Sequence, residues 1–155
     1  MDITGQLMMA IPLGLGALGS ALGIGAAGKA AAGAWAREAR EGKRLSFTYI
    51  ILVGMPLSQT IYGLILSLVG LAPLTVGDNA AAGAVFSGAL FSIGLAGGLA
   101  EMFSAWMQGA IGGAACRALA EGEGKGLAFM IIAMGIAETV GLFGFVFPLL
   151  ILPKV

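Results

Sequence analysis

The chain has 155 residues, of which 59% are hydrophobic and only 10% charged, with no histidine and a formal net charge of zero. Its mean hydropathy of +0.99 leaves too little polar surface for a soluble domain, so the class is integral membrane protein. The charge balance points to neither nucleic acid nor a polybasic lipid anchor, and the length suits about four spanning helices of roughly 20 residues each.

The first residues are unlike a cleaved signal. Asp2 is acidic where a signal is basic, and the apolar run from Leu7 continues past a signal's length. A retained first span is expected over 7–28. It is dense in small residues, with Gly14, Gly16, Gly19, Gly23, Gly25 and Gly28, and Gly19 and Gly23 make a GxxxG. In lipid the backbone has no better alternative than the helix, and small residues let neighbouring helices approach closely. This helix therefore belongs in a crowded place, in ordinary helix packing or in a ring. Lys29 ends the span and can snorkel to the headgroups. Arg37, Glu38, Arg40, Glu41, Lys43 and Arg44 follow as a solvated connecting loop and helix extension.

The second span is expected over 47–71. Pro56 inside it removes a hydrogen bond to the carbonyl four residues back and bends the helix. Ser58, Gln59 and Tyr62 come next, and their spacing places all three on one face. Freed carbonyls followed by oxygen-bearing side chains make a candidate cation cradle; the plainer alternative is interhelical hydrogen bonding that holds a bundle together. Residues 72–80, with Pro73, Gly77, Asp78 and Asn79, read as a short turn.

A third span over 81–116 is longer than a bilayer needs, so it tilts or protrudes. Glu101 and Gln108 interrupt it two turns apart on nearly one face, with Ser104 between them. Cys116 stands alone and reads as a small buried thiol. Arg117, Glu121, Glu123 and Lys125 form a second charged loop, and the fourth span covers 126–152. Glu138 lies near its centre, about 18–21 Å from each end at helical rise. An ionisable group at the bilayer midplane is costly and marks a functional site by default.

Seven of the eight basic residues lie at or within the two charged loops. The positive-inside rule places both loops in the cytoplasm and both termini outside. The halves repeat one plan, a Gly-rich helix, a charged loop and a helix with a polar centre. Gln59-Thr60-Ile61 of a hairpin over 1–76 matches Glu138-Thr139-Val140 of a hairpin over 77–155, although Phe47 to Gln59 is longer than Phe129 to Glu138. Only the second copy keeps the acid.

This pattern resembles the rotor-ring proteolipid of V-type rotary ATPases in its four-helix, duplicated form, known in bacteria as the K subunit. The resemblance covers essentially the whole chain. It is carried by Pro56-Leu57-Ser58-Gln59-Thr60-Ile61-Tyr62-Gly63, by Phe103-Ser104-Ala105-Trp106-Met107-Gln108-Gly109, and by Glu138-Thr139 with Gly144-Phe145. It implies an all-α membrane protein of two hairpins, assembling with identical subunits into a ring. That ring turns against a static ion-channel subunit and is joined to a central stalk, with the ATP chemistry in other subunits, so the chain itself is no enzyme. It also implies a prokaryotic cell membrane. Carried over from sodium-binding members, the ligands are Glu138, Gln108, Gln59, Ser58 and the backbone carbonyl of Met55, with Tyr62 hydrogen-bonding Glu138. Ser58 stands where Thr is more usual but keeps the hydroxyl. Glu101 falls outside the family pattern. It lines the ring's interior, pairs with a neighbouring subunit, tunes the ion site, or is a polar group satisfied at an interface or membrane edge.

A hard monovalent cation needs oxygen ligands, whereas a proton needs only a carboxylate adjusted by burial. The crowd of polar side chains around one acid favours Na+ over H+ as the carried ion. One acid per two hairpins means fewer ions per turn and more energy for each, which favours an ATP-driven pump. A small free-standing cation or drug transporter, and a structural tetraspan protein, are the competing classes. The spans bearing the acid offer little of an aromatic cage for the first, and the chain offers no basic partner to Glu138 for the second.

Overall fold

A computed structural model describes residues 3–154, with side chains from Met8 onward except Ala82. Met1, Val155 and Asp2, on which the signal-peptide argument turned, lie outside the described residues. Among the described residues, four helices are long and apolar enough to cross a membrane.

The first helix runs from Ile3 to Arg40, well past the expected end at residue 28 and through part of the expected loop. The stretch Ala30-Ala31-Ala32-Gly33-Ala34-Trp35-Ala36 explains the extension. Alanine is the best helix former, and Ala31 and Ala34 bury against Tyr49, Leu52, Cys116 and Leu119. Beyond it the loop is tied back onto the helix. Trp35 Nε1 donates to the Ser46 carbonyl at 2.7 Å, and Glu38 accepts from the Ser46 N–H at 2.9 Å and from the Tyr49 hydroxyl at 2.7 Å. Glu41 receives Arg37 at 2.8 Å and Lys43 at 2.9 Å, and Lys43 reaches Glu123 of the other loop at 3.7 Å. The two charged loops thus share one end of the bundle.

The second span, Thr48–Thr75, changes winding along its length. An α segment Thr48–Gly54 tightens into a 3-10 turn Met55–Leu57 at Pro56, resumes over Ser58–Ile65, widens into a π turn Leu66–Leu71, and ends with Ala72–Thr75. The chain stays helical four residues beyond the expected boundary at 71, so the turn starts at Val76 rather than at residue 72.

The expected run over 81–116 is two helices, Ala80–Val85 and Ser87–Glu121. Phe86 leaves helical geometry at φ −101° and ψ 16°. The short helix is pinned because Gly83 lies against the Leu74 carbonyl, where a Cβ would collide. At the far end Leu119 joins the core under Tyr49, which carries the helix five residues past Cys116. Gly124 and Gly126 turn the chain at φ +82° and +88°, a region that suits glycine. The fourth helix then covers Leu127–Leu150, just inside the expected 126–152.

The first and third helices pack most extensively on each other, followed by the first on the second span and then the third on the fourth. Gly109 and Gly23 meet backbone to backbone, and Gly19 lies on the backbone of Met102. These contacts are the close approach the small residues predict. One apolar cluster, Ala31, Ala34, Tyr49, Leu52, Ala115, Cys116, Leu119 and Met134, fills the loop end. A second, Met8, Leu71, Leu74, Leu90 and Ile93, fills the other end. Between them lie buried polar residues: Ser20, Gln59, Glu101, Ser104 and Gln108.

Candidate ion-binding site

The polar layer is organised by Pro56, Gln108 and Glu138, one on each of three helices. Pro56 has no N–H to offer the carbonyl of Leu52, and the backbone tightens there so that the Ser58 N–H binds the Met55 carbonyl. The Ser58 hydroxyl points to the same carbonyl at 3.1 Å and to Gln59 Oε1 at 3.1 Å. Gln59 is fully buried, and its amide group donates to Ser104 Oγ at 3.0 Å and to Gln108 Oε1 at 3.3 Å.

Gln108, also fully buried, donates to the Met134 carbonyl at 3.2 Å and to Glu138 Oε2 at 3.3 Å. The other carboxylate oxygen, Oε1, accepts from the Tyr62 hydroxyl at 3.1 Å. Tyr62 is held in turn by stacking on Phe145, with ring centroids 5.5 Å apart and planes 15° apart. All six residues singled out in the sequence therefore lie in one hydrogen-bonded chain running Met55, Ser58, Gln59, Gln108, Glu138, Tyr62. Glu138 is half-buried, at the outer margin of this chain. It lies about 17 Å from the start and 18 Å from the end of its helix.

Two further residues belong to the layer. Ser104 donates to the Ala137 carbonyl at 2.8 Å while accepting from Gln59. Its place on the Glu101–Gln108 face was readable from spacing, but its junction role was not. Ser20 donates to the Pro56 carbonyl at 2.5 Å and accepts from Thr60 at 2.8 Å. It is the one hydroxyl in the glycine-rich expected span 7–28, and that was its only signal. Glu101 is fully buried within the subunit. Within the protomer it therefore lines no exposed face, and neither carboxylate oxygen has a hydrogen-bond partner among the described residues. The reading of Glu101 as a satisfied polar group at an interface or membrane edge is corrected accordingly.

Chemically, the site offers one charge and several neutral oxygens from three helices: Glu138, the amide oxygens of Gln59 and Gln108, the Ser58 hydroxyl and the Met55 carbonyl. These suit a small hard cation. The Gln side chains need only turn about their last torsion to exchange a donor for an acceptor. Among the described residues no cluster of His, Cys, Asp and Glu suited to a multivalent metal occurs.

No curated protein matches the chain. The family model for the ATP synthase C subunit matches it twice, over residues 7–69 and 91–151. The first match contains Met55, Ser58, Gln59 and Tyr62, and the second contains Gln108 and Glu138.

Proposed function

Because the chain belongs to the ATP synthase C-subunit family, it is an ion-translocating, non-catalytic component of a membrane rotor ring, and we propose that this ring serves a V-type ATPase and carries Na+ at Glu138. The observation that supports the reading is the single hydrogen-bonded chain joining Glu138 to Gln108, Gln59, Ser58 and the Met55 carbonyl. A proton carrier has no use for so many oxygens around one acid.

The physical cycle follows from charge. With Na+ among these oxygens the site is neutral, and the loaded protomer can face lipid. Without it, Glu138 is a bare carboxylate that must stay where water or a cation from the static ion-channel partner faces it. Tyr62 keeps the carboxylate aimed at the network throughout. Rotation past the static partner thereby becomes directed transport.

Residues 1–76 and 77–155 are read as two copies of one hairpin, with Gln59 standing where the second copy has Glu138. One ion per four helices favours an ATP-driven pump. The charged loops, joined by Lys43 and Glu123, are the cytoplasmic end that meets the central stalk, and the membrane is the prokaryotic cell membrane. The second reading is H+. It is favoured by the place of Glu138, half-buried at the margin of the hydrogen-bonded chain, because a proton needs the carboxyl alone and none of the oxygens behind it.

Carbodiimide labelling of Glu138 across pH, with and without Na+, tests the choice. Protection by Na+ is expected; labelling governed by pH alone would replace Na+ with H+. Glu138→Gln is expected to abolish coupled pumping under either ion.

A further inference from the structure

Glu101 plays no part in the cycle above. It lies in the third helix with 0% of its surface exposed, and both its carboxylate oxygens lack a hydrogen-bond partner. The titratable groups nearest it are Glu138 on the fourth helix and Tyr62 on the second, whose hydroxyl is committed to Glu138. The described arginines and lysines lie towards the helix ends and loops. A buried carboxylate with neither a cation nor a donor is too costly to persist, so a positive species neutralises it.

The space around it is shaped by Gly141. A Cβ at that position would lie 2.8 Å from Ser104 Oγ and 3.0 Å from Glu101 Oε2, so both oxygens converge over bare backbone. Gly141 follows Glu138 by one turn, about 4.5 Å along the axis, and shares its helix face. Two carboxyl groups therefore address the same face of the fourth helix, one half-exposed and one sealed.

Their surroundings differ. Glu138 has oxygens from three helices. Sharing the space over Gly141 with Glu101 Oε2 is Ser104 Oγ, whose single proton goes to the Ala137 carbonyl at 2.8 Å and which accepts from Gln59 at 3.0 Å. A hydroxyl has two acceptor positions, so one remains free. That free position is an acceptor for an O–H.

We propose that Glu101 is a second cation-binding carboxyl that holds a proton of its own, donated as O–H towards Ser104, so that each protomer keeps one resident proton beside the ion that exchanges at Glu138. With that proton in place, an emptied protomer bears one negative charge in the membrane instead of two. Because Glu101 reaches no surface of the protomer, its proton stays while Glu138 loads and unloads.

Infrared difference spectroscopy on purified rings in lipid tests this directly. Wild type minus Glu101→Gln at neutral pH is expected to show the carbonyl stretch of one protonated carboxyl per protomer, unchanged by added Na+. The comparison isolates Glu101 whichever ion Glu138 carries, so it stands or falls apart from the sodium reading. Ser104→Ala is expected to keep the band but shift it, because the O–H loses its acceptor; this variant also supplies the reading if Glu101→Gln rings do not assemble. Glu101→Gln rings that assemble are expected to retain Na+ protection of Glu138. No protonated-carboxyl band in the wild type, a band unmoved in Ser104→Ala, or a band abolished by Na+ with two 22Na bound per wild-type protomer would each overturn the proposal.

Discussion

Tyr62 is constrained from two sides, by the stacked ring of Phe145 and by the carboxylate of Glu138. Tyr62→Phe keeps the stacking and removes the hydroxyl. A hydrogen bond to a charged group contributes about 1.5–3 kcal/mol, and about 1.4 kcal/mol is a factor of ten. The hydroxyl stabilises the ionised carboxylate that a metal cation needs, so the variant should require about tenfold more Na+, or more, to protect Glu138 from carbodiimide. The residues of this site were conspicuous in the sequence because each is polar inside an apolar run, where chance and packing rarely put them. Ser20 and Ser104 were less so, because a lone serine among glycines and alanines reads as one more small packing residue. Glu101 was visible as a residue but not as a state. Spacing put it on the Gln108 face, whereas its lack of any partner depends on where Ser104 spends its single proton.

Among the helices, close packing is concentrated where glycine meets backbone. A Cβ on Gly109 would fall on the backbone of Gly23, whereas nothing lies within 4 Å of one on Gly135. Gly109→Ala should therefore destabilise the bundle by about 1–3 kcal/mol or more, the usual cost of overpacking, while Gly135→Ala leaves the isolated protomer intact. Thermal unfolding in detergent compares the two. At the loop end, the Arg37 hydrogen bond, aided by Lys43, holds Glu41 down to about 2 from the ordinary carboxylate value. A depressed carboxyl stabilises the fold above its unfolded value and loses that contribution as pH falls through the folded one. The tie should thus weaken between about pH 4.5 and 2. Glu41→Gln should lower the melting temperature slightly at neutral pH, and the difference should vanish in high salt or near pH 2. Helix limits were the least legible feature. Charge marked 37–44 as watery, yet alanine propensity and burial against Tyr49 keep the first helix going to Arg40. Nothing in the apolar stretch 81–86 signalled the break at Phe86, which follows the seat of Gly83 on Leu74.

Seen together, the four helices put many of their smallest residues inward and leave broad apolar surface outside, including Ile136 at 67% and Val140 at 59% exposed on the fourth helix. Lipid and neighbouring copies in the ring cover such surface. The two-hairpin plan was legible because both charged loops are marked by basic residues, and the bridge from Lys43 to Glu123 brings those loops together. The vertical order of the interior was not legible, since it depends on which faces meet. Polar residues occupy the middle, with Tyr49, Leu52, Leu119 and Met134 sealing one end and Met8, Leu71 and Leu90 the other. Both seals are apolar, so the way into the layer is sideways, past half-buried Glu138. A ring at rest is then an insulator. Rings reconstituted without their stator should leave vesicles as tight to Na+ and H+ as bare lipid, holding an imposed voltage without discharge.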